Sequence, residues 1–347
     1  MAAPGRLLLI RPRFLGDLVL ATGLPRAIKD QWPGTRVSLL AESAYAEALR
    51  HHPDLDEVVE FDASRKGRPL YLLDFYRGLR RRRFDVVLDL FGNPRTAQMA
   101  FLSGAPLRVG FDLRGRRWAY NRLAPPSSPP LASGRRPVTE AYLDQLRALG
   151  WKAQGPYRTS LTVTGEEKAH ARKLLDRARL FPGAKLAVLA PGASWPAKHW
   201  PLEKFARLGA YLSAEGFRIL TVFGPKEKGM TEAFQGRMGK DWILIQEPSL
   251  RGLMAFIEAA DLLVSNDAGP MHIGPAVGTP TLGIFGPGEP EVWFPYAEPH
   301  RVLYAEVPCS HCGLDACPLM ACMAALTPEA AARAALEMTA SLPAKNR

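Results

Sequence analysis

No stretch of this 347-residue chain approaches the roughly 20 consecutive apolar residues that a helix needs to cross a bilayer. The first apolar run, Leu7-Leu8-Leu9-Ile10, lies between Arg6 and Arg11 and is too short for the apolar core of a secretory leader. It reads as a buried strand, and the chain is expected to be cytoplasmic or attached peripherally to a membrane. Cysteine is scarce, with four residues confined to positions 309–322, and a cytosolic setting argues against structural disulfides. No Gly-x-Gly-x-x-Gly follows a strand-like run, which removes the usual signature of a nicotinamide-dependent enzyme. The only Asp-x-Asp, Asp54-Leu55-Asp56, precedes an apolar run and reads as a solvated turn rather than a metal-binding pair. The basic clusters are not interleaved with aromatic residues and no recognition module is visible, so no nucleic-acid partner is expected.

What is present is an uneven charge. The formal net charge is +11, and residues 1–160 carry 26 Lys and Arg against 15 Asp and Glu, which is the whole excess. Residues 161–347 carry 19 of each sign. Arginines cluster at Arg65, Lys66 and Arg68, at Arg80 to Arg83, at Arg114, Arg116 and Arg117, and at Arg135 and Arg136. Such asymmetry points to an anionic partner for the first half, a phosphorylated substrate or an anionic lipid surface. The structural alternative is a compositional taste for arginine.

Apolar runs alternate with helical patterns throughout. In the first half they lie at 7–10, 37–40, 58–61, 86–88 and 108–111, and in the second at 186–189, 217–223, 242–245, 262–264 and 280–285. Spacing predicts helices over 70–83 and 138–149 and an exposed loop over 124–137. The pattern implies an α/β protein with two Rossmann-like, doubly wound parallel sheets facing across a cleft. The expected domains are 1–165 and 166–326, with a C-terminal helix over 327–347 returning to the first.

In such sheets the loops after the strands carry chemistry. Ser265-Asn266-Asp267-Ala268-Gly269-Pro270-Met271-His272 follows a strand-like run and turns into a helix near Pro270. Unpaired N–H groups and the positive end of a helix dipole there suit a phosphate, flanked by Asp267 and His272. The plainer reading is a helix cap. The loops Arg11-Pro12-Arg13-Phe14-Leu15-Gly16-Asp17 and Pro191-Gly192-Ala193-Ser194, running on to Lys198-His199-Trp200-Pro201, open the two halves in the same way.

Together with Phe223-Gly224-Pro225-Lys226-Glu227 and Phe285-Gly286-Pro287, these segments resemble glycosyltransferase family 9, the bacterial ADP-heptose:lipopolysaccharide heptosyltransferases of GT-B architecture. The resemblance implies that Asp17 is the base that deprotonates the acceptor hydroxyl in an inverting displacement; its structural alternative is a helix cap. It implies that Ser194 and Lys198 contact the donor diphosphate, that Glu227 holds the ribose, and that Asp267, Ala268, Gly269 and His272 line the donor site. Ala268 stands where the family often has Ser or Thr, which removes a hydroxyl contact, and Pro275 falls inside the following helix. The basic first half is then the acceptor side, with Arg65, Lys66, Arg68 and Arg95 as anion contacts.

The resemblance also implies ADP-heptose as donor and the phosphorylated inner core of lipopolysaccharide, of the Kdo-lipid A type, as acceptor. The work would take place on the anionic cytoplasmic face of the inner membrane, with no cofactor required for catalysis. Cys309, Cys312, Cys317 and Cys322 are expected to be structural, either as thiols or as ligands of zinc or an iron–sulfur cluster. The rival readings are a family member with another nucleotide sugar or acceptor, and a non-catalytic binding protein on the same scaffold.

Overall fold

A computed structural model describes residues 3–125, 136–152, 158–177, 184–225, 227–240, 242–246 and 248–340. The loop expected over 124–137 falls almost wholly outside these residues, as do Arg135 and Lys226. The chain forms two compact units, Met1–Thr162 and Val163–Arg347. Among the described residues no helix is long and apolar enough to cross a membrane.

The first unit holds six strands: β1 (Arg6–Ile10), β2 (Arg36–Glu42), β3 (Glu57–Phe61), β4 (Val86–Asp89), β5 (Leu107–Phe111) and β6 (Arg122–Ala124). They lie in the order β3-β2-β1-β4-β5-β6, and every pairing is parallel. The second unit holds β7 (Lys185–Ala190), β8 (Phe217–Phe223), β9 (Ile243–Gln246), β10 (Leu262–Asn266), β11 (Thr281–Ile284) and β12 (Arg301–Leu303). Their order β12-β11-β10-β7-β8-β9 is the same arrangement counted from its own first strand, again wholly parallel. This is the doubly wound Rossmann order, with switch points between β1 and β4 and between β7 and β10. Central strands covered by helices on both faces must be apolar throughout, and Leu7 to Ile10 and Leu186 to Leu189 are fully buried.

The sequence pattern finds ten of these strands and misses β6 and β12. Both are three-residue edge strands. The other two edge strands, β3 and β9, are longer and carry an apolar run; three residues are too few to show one.

Helix Pro328–Ala340 packs Ala331, Ala335 and Met338 into the second unit's core with Trp200, Phe205, Leu208 and Leu212. The alanines are small enough to let it lie close against helix Leu202–Ala214. Lys204 Nζ donates to the carbonyls of Met323 and Leu326 at 3.1 and 2.7 Å, and Arg207 and the Tyr211 hydroxyl both reach Glu329 Oε1 at 2.7 Å.

Candidate active site

In the first unit β1 ends at Ile10, and Asp17 lies in the first turn of helix Leu15–Ala21. Its capping contact is long, 3.4 Å from the Phe14 N–H to Oδ2, which is beyond an ordinary hydrogen bond. Its strong partner is Arg11, whose guanidinium pairs with Oδ1 while the two side chains are only 7% and 14% exposed. Arg11 is seated over the Phe91 ring, 4.5 Å from guanidinium carbon to ring centroid, with the buried Tyr142 ring at 5.9 Å. The Phe91 turn is itself fixed from below. Asp89 Oδ1 accepts the N–H groups of Phe91 and Gly92 at 3.0 and 2.9 Å, and Oδ2 accepts the Tyr120 hydroxyl at 2.6 Å. Burial pushes the Asp89 carboxyl up, and those donors pull it back. Gly92 closes the turn at φ +71°, where a side chain would be strained.

The loops after β3 and β4 add cations to the same sheet edge. Glu42 ends β2; partial burial pushes its carboxyl up, and Arg13, Arg95 and Lys66 act on it in the opposite direction. Lys66 and Arg95, two of the four expected acceptor contacts, thus lie near enough to one carboxylate to act on it electrostatically. Arg65 lies over the Tyr71 ring at 4.5 Å, and Arg68 is the exposed residue before helix Pro69–Arg81. Arg11 and Arg13 received no role from the sequence. The signal available was a pair of arginines directly after an entirely buried strand.

In the second unit the expected donor residues fall at the carboxyl ends of β7, β8 and β10. Lys198 Nζ pairs with Asp267 Oδ2 at 2.6 Å, with side-chain exposures of 17% and 6%, and lies 4.6 Å from the centre of the Trp195 ring. Glu227 Oε2 accepts the Gly224 N–H at 2.8 Å. Its carboxylate lies so near Gly192 that a Cβ there would sit 1.8 Å from Oε1, so any side chain at 192 would displace Glu227 from this position. Asn266, a residue without an assigned role in the sequence reading, ties the β7 loop to β10. Its Nδ2 donates to the Pro191 carbonyl at 2.6 Å and its Oδ1 accepts the Trp200 N–H at 3.3 Å. Ser194 is exposed in the same loop.

Ala268 precedes helix Gly269–Ala276 in extended conformation, and Pro270 occupies its first turn. Pro275 is tolerated because the helix ends one residue later, where Gly278 at φ +78° lets the Thr279 N–H reach the Gly274 carbonyl at 2.8 Å. His272 is 4% exposed and its Nδ1 meets the Tyr296 hydroxyl at 3.1 Å.

The structure thus joins Lys198 to Asp267 and Glu227 to Gly192, and separately Arg11 to Asp17. Asp54 and Asp56 are taken up by Arg26 and Lys29, at 3.8 and 3.1 Å.

The four cysteines are free thiols that grade from exposed Cys309 and Cys312, through Cys317, to buried Cys322. Cys322 belongs to the second unit's apolar core, and burial pushes its thiol up. Among the described residues no three His, Cys, Asp or Glu side chains are grouped to hold a metal ion. Cys322→Ser is expected to lower the melting temperature, since an unpaired buried hydroxyl costs roughly 1–3 kcal/mol. Cys309→Ser with Cys312→Ser should leave it unchanged. Equal losses in both variants, read by calorimetry alongside elemental analysis, would mean that the thiols hold a metal together.

Two doubly wound, wholly parallel Rossmann-like units in one chain, each with charged residues in the loops at its switch point, match the GT-B class of architecture. Solved structures share the architecture: E. coli ADP-heptose lps heptosyltransferase II covers 96% of this chain and 98% of its own at 20% identity with a TM-score of 0.78. E. coli heptosyltransferase WaaC with ADP covers 98% and 99%, at 20% identity with a TM-score of 0.68. In sequence the chain is 24% identical to lipopolysaccharide heptosyltransferase 3 of Escherichia coli, over 82% of this chain and 84% of that protein. It is 24% identical to lipopolysaccharide heptosyltransferase 1 of Pseudomonas aeruginosa, over 90% and 87%. The model of glycosyltransferase family 9 (heptosyltransferase) matches residues 72–322, and the chain belongs to that family.

Proposed function

We propose that the protein transfers heptose from ADP-L-glycero-D-manno-heptose to the phosphorylated inner core of lipopolysaccharide, with inversion, at the cytoplasmic face of the inner membrane. The observation that carries the reading is the Lys198–Asp267 pair at the switch point of the second unit, beside Glu227 and the glycine loop. A cation held by a buried carboxylate is in place before the diphosphate arrives, so little reorganisation is left for the reaction. The names of the relatives supply the donor and acceptor classes.

In this reading Lys198 and loop N–H groups bind the diphosphate, Glu227 accepts from ribose hydroxyls and Asp267 from the sugar. The acceptor oxygen attacks the anomeric carbon. The bond from that carbon to the phosphate oxygen breaks, its electron pair leaves with ADP, and the acceptor proton passes to Asp17. Arg11 holds the Asp17 carboxylate in place.

Calorimetry with nucleoside diphosphates tests the donor half. ADP should bind at least about tenfold more tightly than UDP, GDP or CDP, since a site built around one base leaves polar groups unpaired with another; equal affinities would reject the donor assignment. For the acceptor half, neutralising Arg65, Lys66 and Arg68 together should raise the acceptor KM without changing ADP binding. The difference should shrink with added salt, because exposed charges are screened over about 8 Å at physiological ionic strength. An unchanged KM would remove these three from acceptor binding.

A further inference from the structure

The basic excess of the first unit is not spent on the expected site alone. Helix Pro69–Arg81 buries Leu79 and turns Leu70, Leu73, Arg77, Arg80 and Arg81 outward. Those positions recur at three, four and seven residues and so form one stripe along the helix. Leu70 is 78% exposed and Leu73 45%. At the far end of the stripe lies an open groove of about 640 Å³, walled by Arg77, Arg80, Arg81 and Arg83 and floored by Ser103 and Gly104. Arg82, in contrast, turns inward to Glu57 at 2.7 Å. Among the described residues, Arg80, Arg81 and Arg83 pair with no carboxylate, and the one acidic wall residue, Asp85, already accepts the Arg6 N–H at 2.8 Å.

The groove continues into exposed apolar surface. Gly104 lies against Arg80, and just before it helix Pro94–Leu102 ends in Phe101 and Leu102, 47% and 38% exposed. Trp118, 54% exposed, stands edge-on to Phe101 with 5.3 Å between ring centres. Exposed large apolar side chains at both ends of a basic stripe, in which only Arg77 meets a carboxylate, that of Asp74 at 3.9 Å, mark an interaction surface. They suit the boundary of an anionic bilayer, where rings and leucines enter the interface and guanidinium groups meet phosphates.

We propose that this stripe, from Leu70 through the arginine groove to Phe101 and Trp118, is the surface on which the first unit lies against anionic phospholipid. The proposal rests on the membrane placement given above and assigns it to particular side chains. Its geometry fits that placement. The helix starts at the sheet edge that carries Asp17, so a bilayer along the stripe runs beside that edge rather than over it.

The test uses the full chain and vesicles of phosphatidylglycerol with phosphatidylcholine, against pure phosphatidylcholine. Wild type should float only with the anionic vesicles. A charge variant, Arg80→Glu with Arg81→Glu and Arg83→Glu, should lose binding on the order of 100-fold, since each cation near such a surface adds about fivefold. An apolar variant, Leu70→Ser with Trp118→Ser, should lose about tenfold or more, with a loss that salt does not restore. The three arginines are exposed, so the charge variant should melt as wild type does. Trp118→Ser gives up the Phe101 ring contact and the bond from Nε1 to the Gly115 carbonyl, so the apolar variant should melt slightly lower. Transfer to a soluble, delipidated acceptor should be unchanged in both. Variants that float as wild type does, or a wild type that floats equally with neutral vesicles or with neither kind, overturn the proposal. If vesicle binding behaves as expected but no sugar is transferred by any form, the enzymatic reading fails and the docking surface stands.

Discussion

Asp17→Asn is expected to cut turnover by about 10²–10⁴-fold, the usual contribution of a positioned general base, while ADP affinity stays at the wild-type value. The amide is isosteric and cannot accept the acceptor proton. The base acts on the acceptor oxygen and not on the nucleotide, so donor binding is spared. The substitution also replaces a charge that faces the nearly buried Arg11, so melting temperature belongs beside the kinetics. Arg11 rests on Phe91 as well, and that seat should hold it when the carboxylate is gone. A folded variant with full activity would return Asp17 to the capping role, for which its 3.4 Å contact with the Phe14 N–H is poor support.

Lys198→Ala should lower turnover by about 10²–10³-fold, the cost of removing one preorganised donor from developing charge, and should weaken ADP binding. Two effects combine. The leaving diphosphate loses its cation, and Asp267, 6% exposed, loses the partner that compensates its burial. Lys198→Arg separates them. It restores charge to the buried carboxylate, so stability should recover, while the bulkier fork fits poorly between Trp195 and Asp267 and turnover should recover only in part. Calorimetry with ADP reads the binding loss directly. An affinity equal to wild type would place Lys198 outside the diphosphate site.

The fold was legible where burial is two-sided. Central strands such as β1 and β7 must be apolar throughout, and helix Pro69–Arg81 announces itself through the spacing of Leu72, Phe75, Tyr76 and Leu79. The three-residue edge strands carry no such signal. The alanine-rich face of the C-terminal helix fits any close-packed neighbour, so its spacing does not say which core receives it. Only the surface formed by Trp200, Phe205 and Leu212 decides which one.

In the candidate site, loop positions were readable from glycines and charges, but pairings were not. Nothing in the spacing of Lys198 and Asp267, on loops after different strands, says that they meet. Nor does the sequence show that Arg11 is nearly buried, because that depends on Phe91 and Tyr142 arriving from distant elements. Glu227 against Gly192 follows the same pattern: the glycine is visible in sequence, and its reason is not.

The central claim is heptosyl transfer by these residues, and one assay bears on it most directly. Purified enzyme is given ADP-heptose and a truncated, phosphorylated core acceptor, and the product is identified by mass and anomeric configuration. The account predicts one heptose added per acceptor with inversion at the anomeric carbon, ADP released in equal amount, and loss of product in Asp17→Asn. Retention of configuration, transfer from a different nucleotide sugar in preference to ADP-heptose, or undiminished transfer by Asp17→Asn would contradict it.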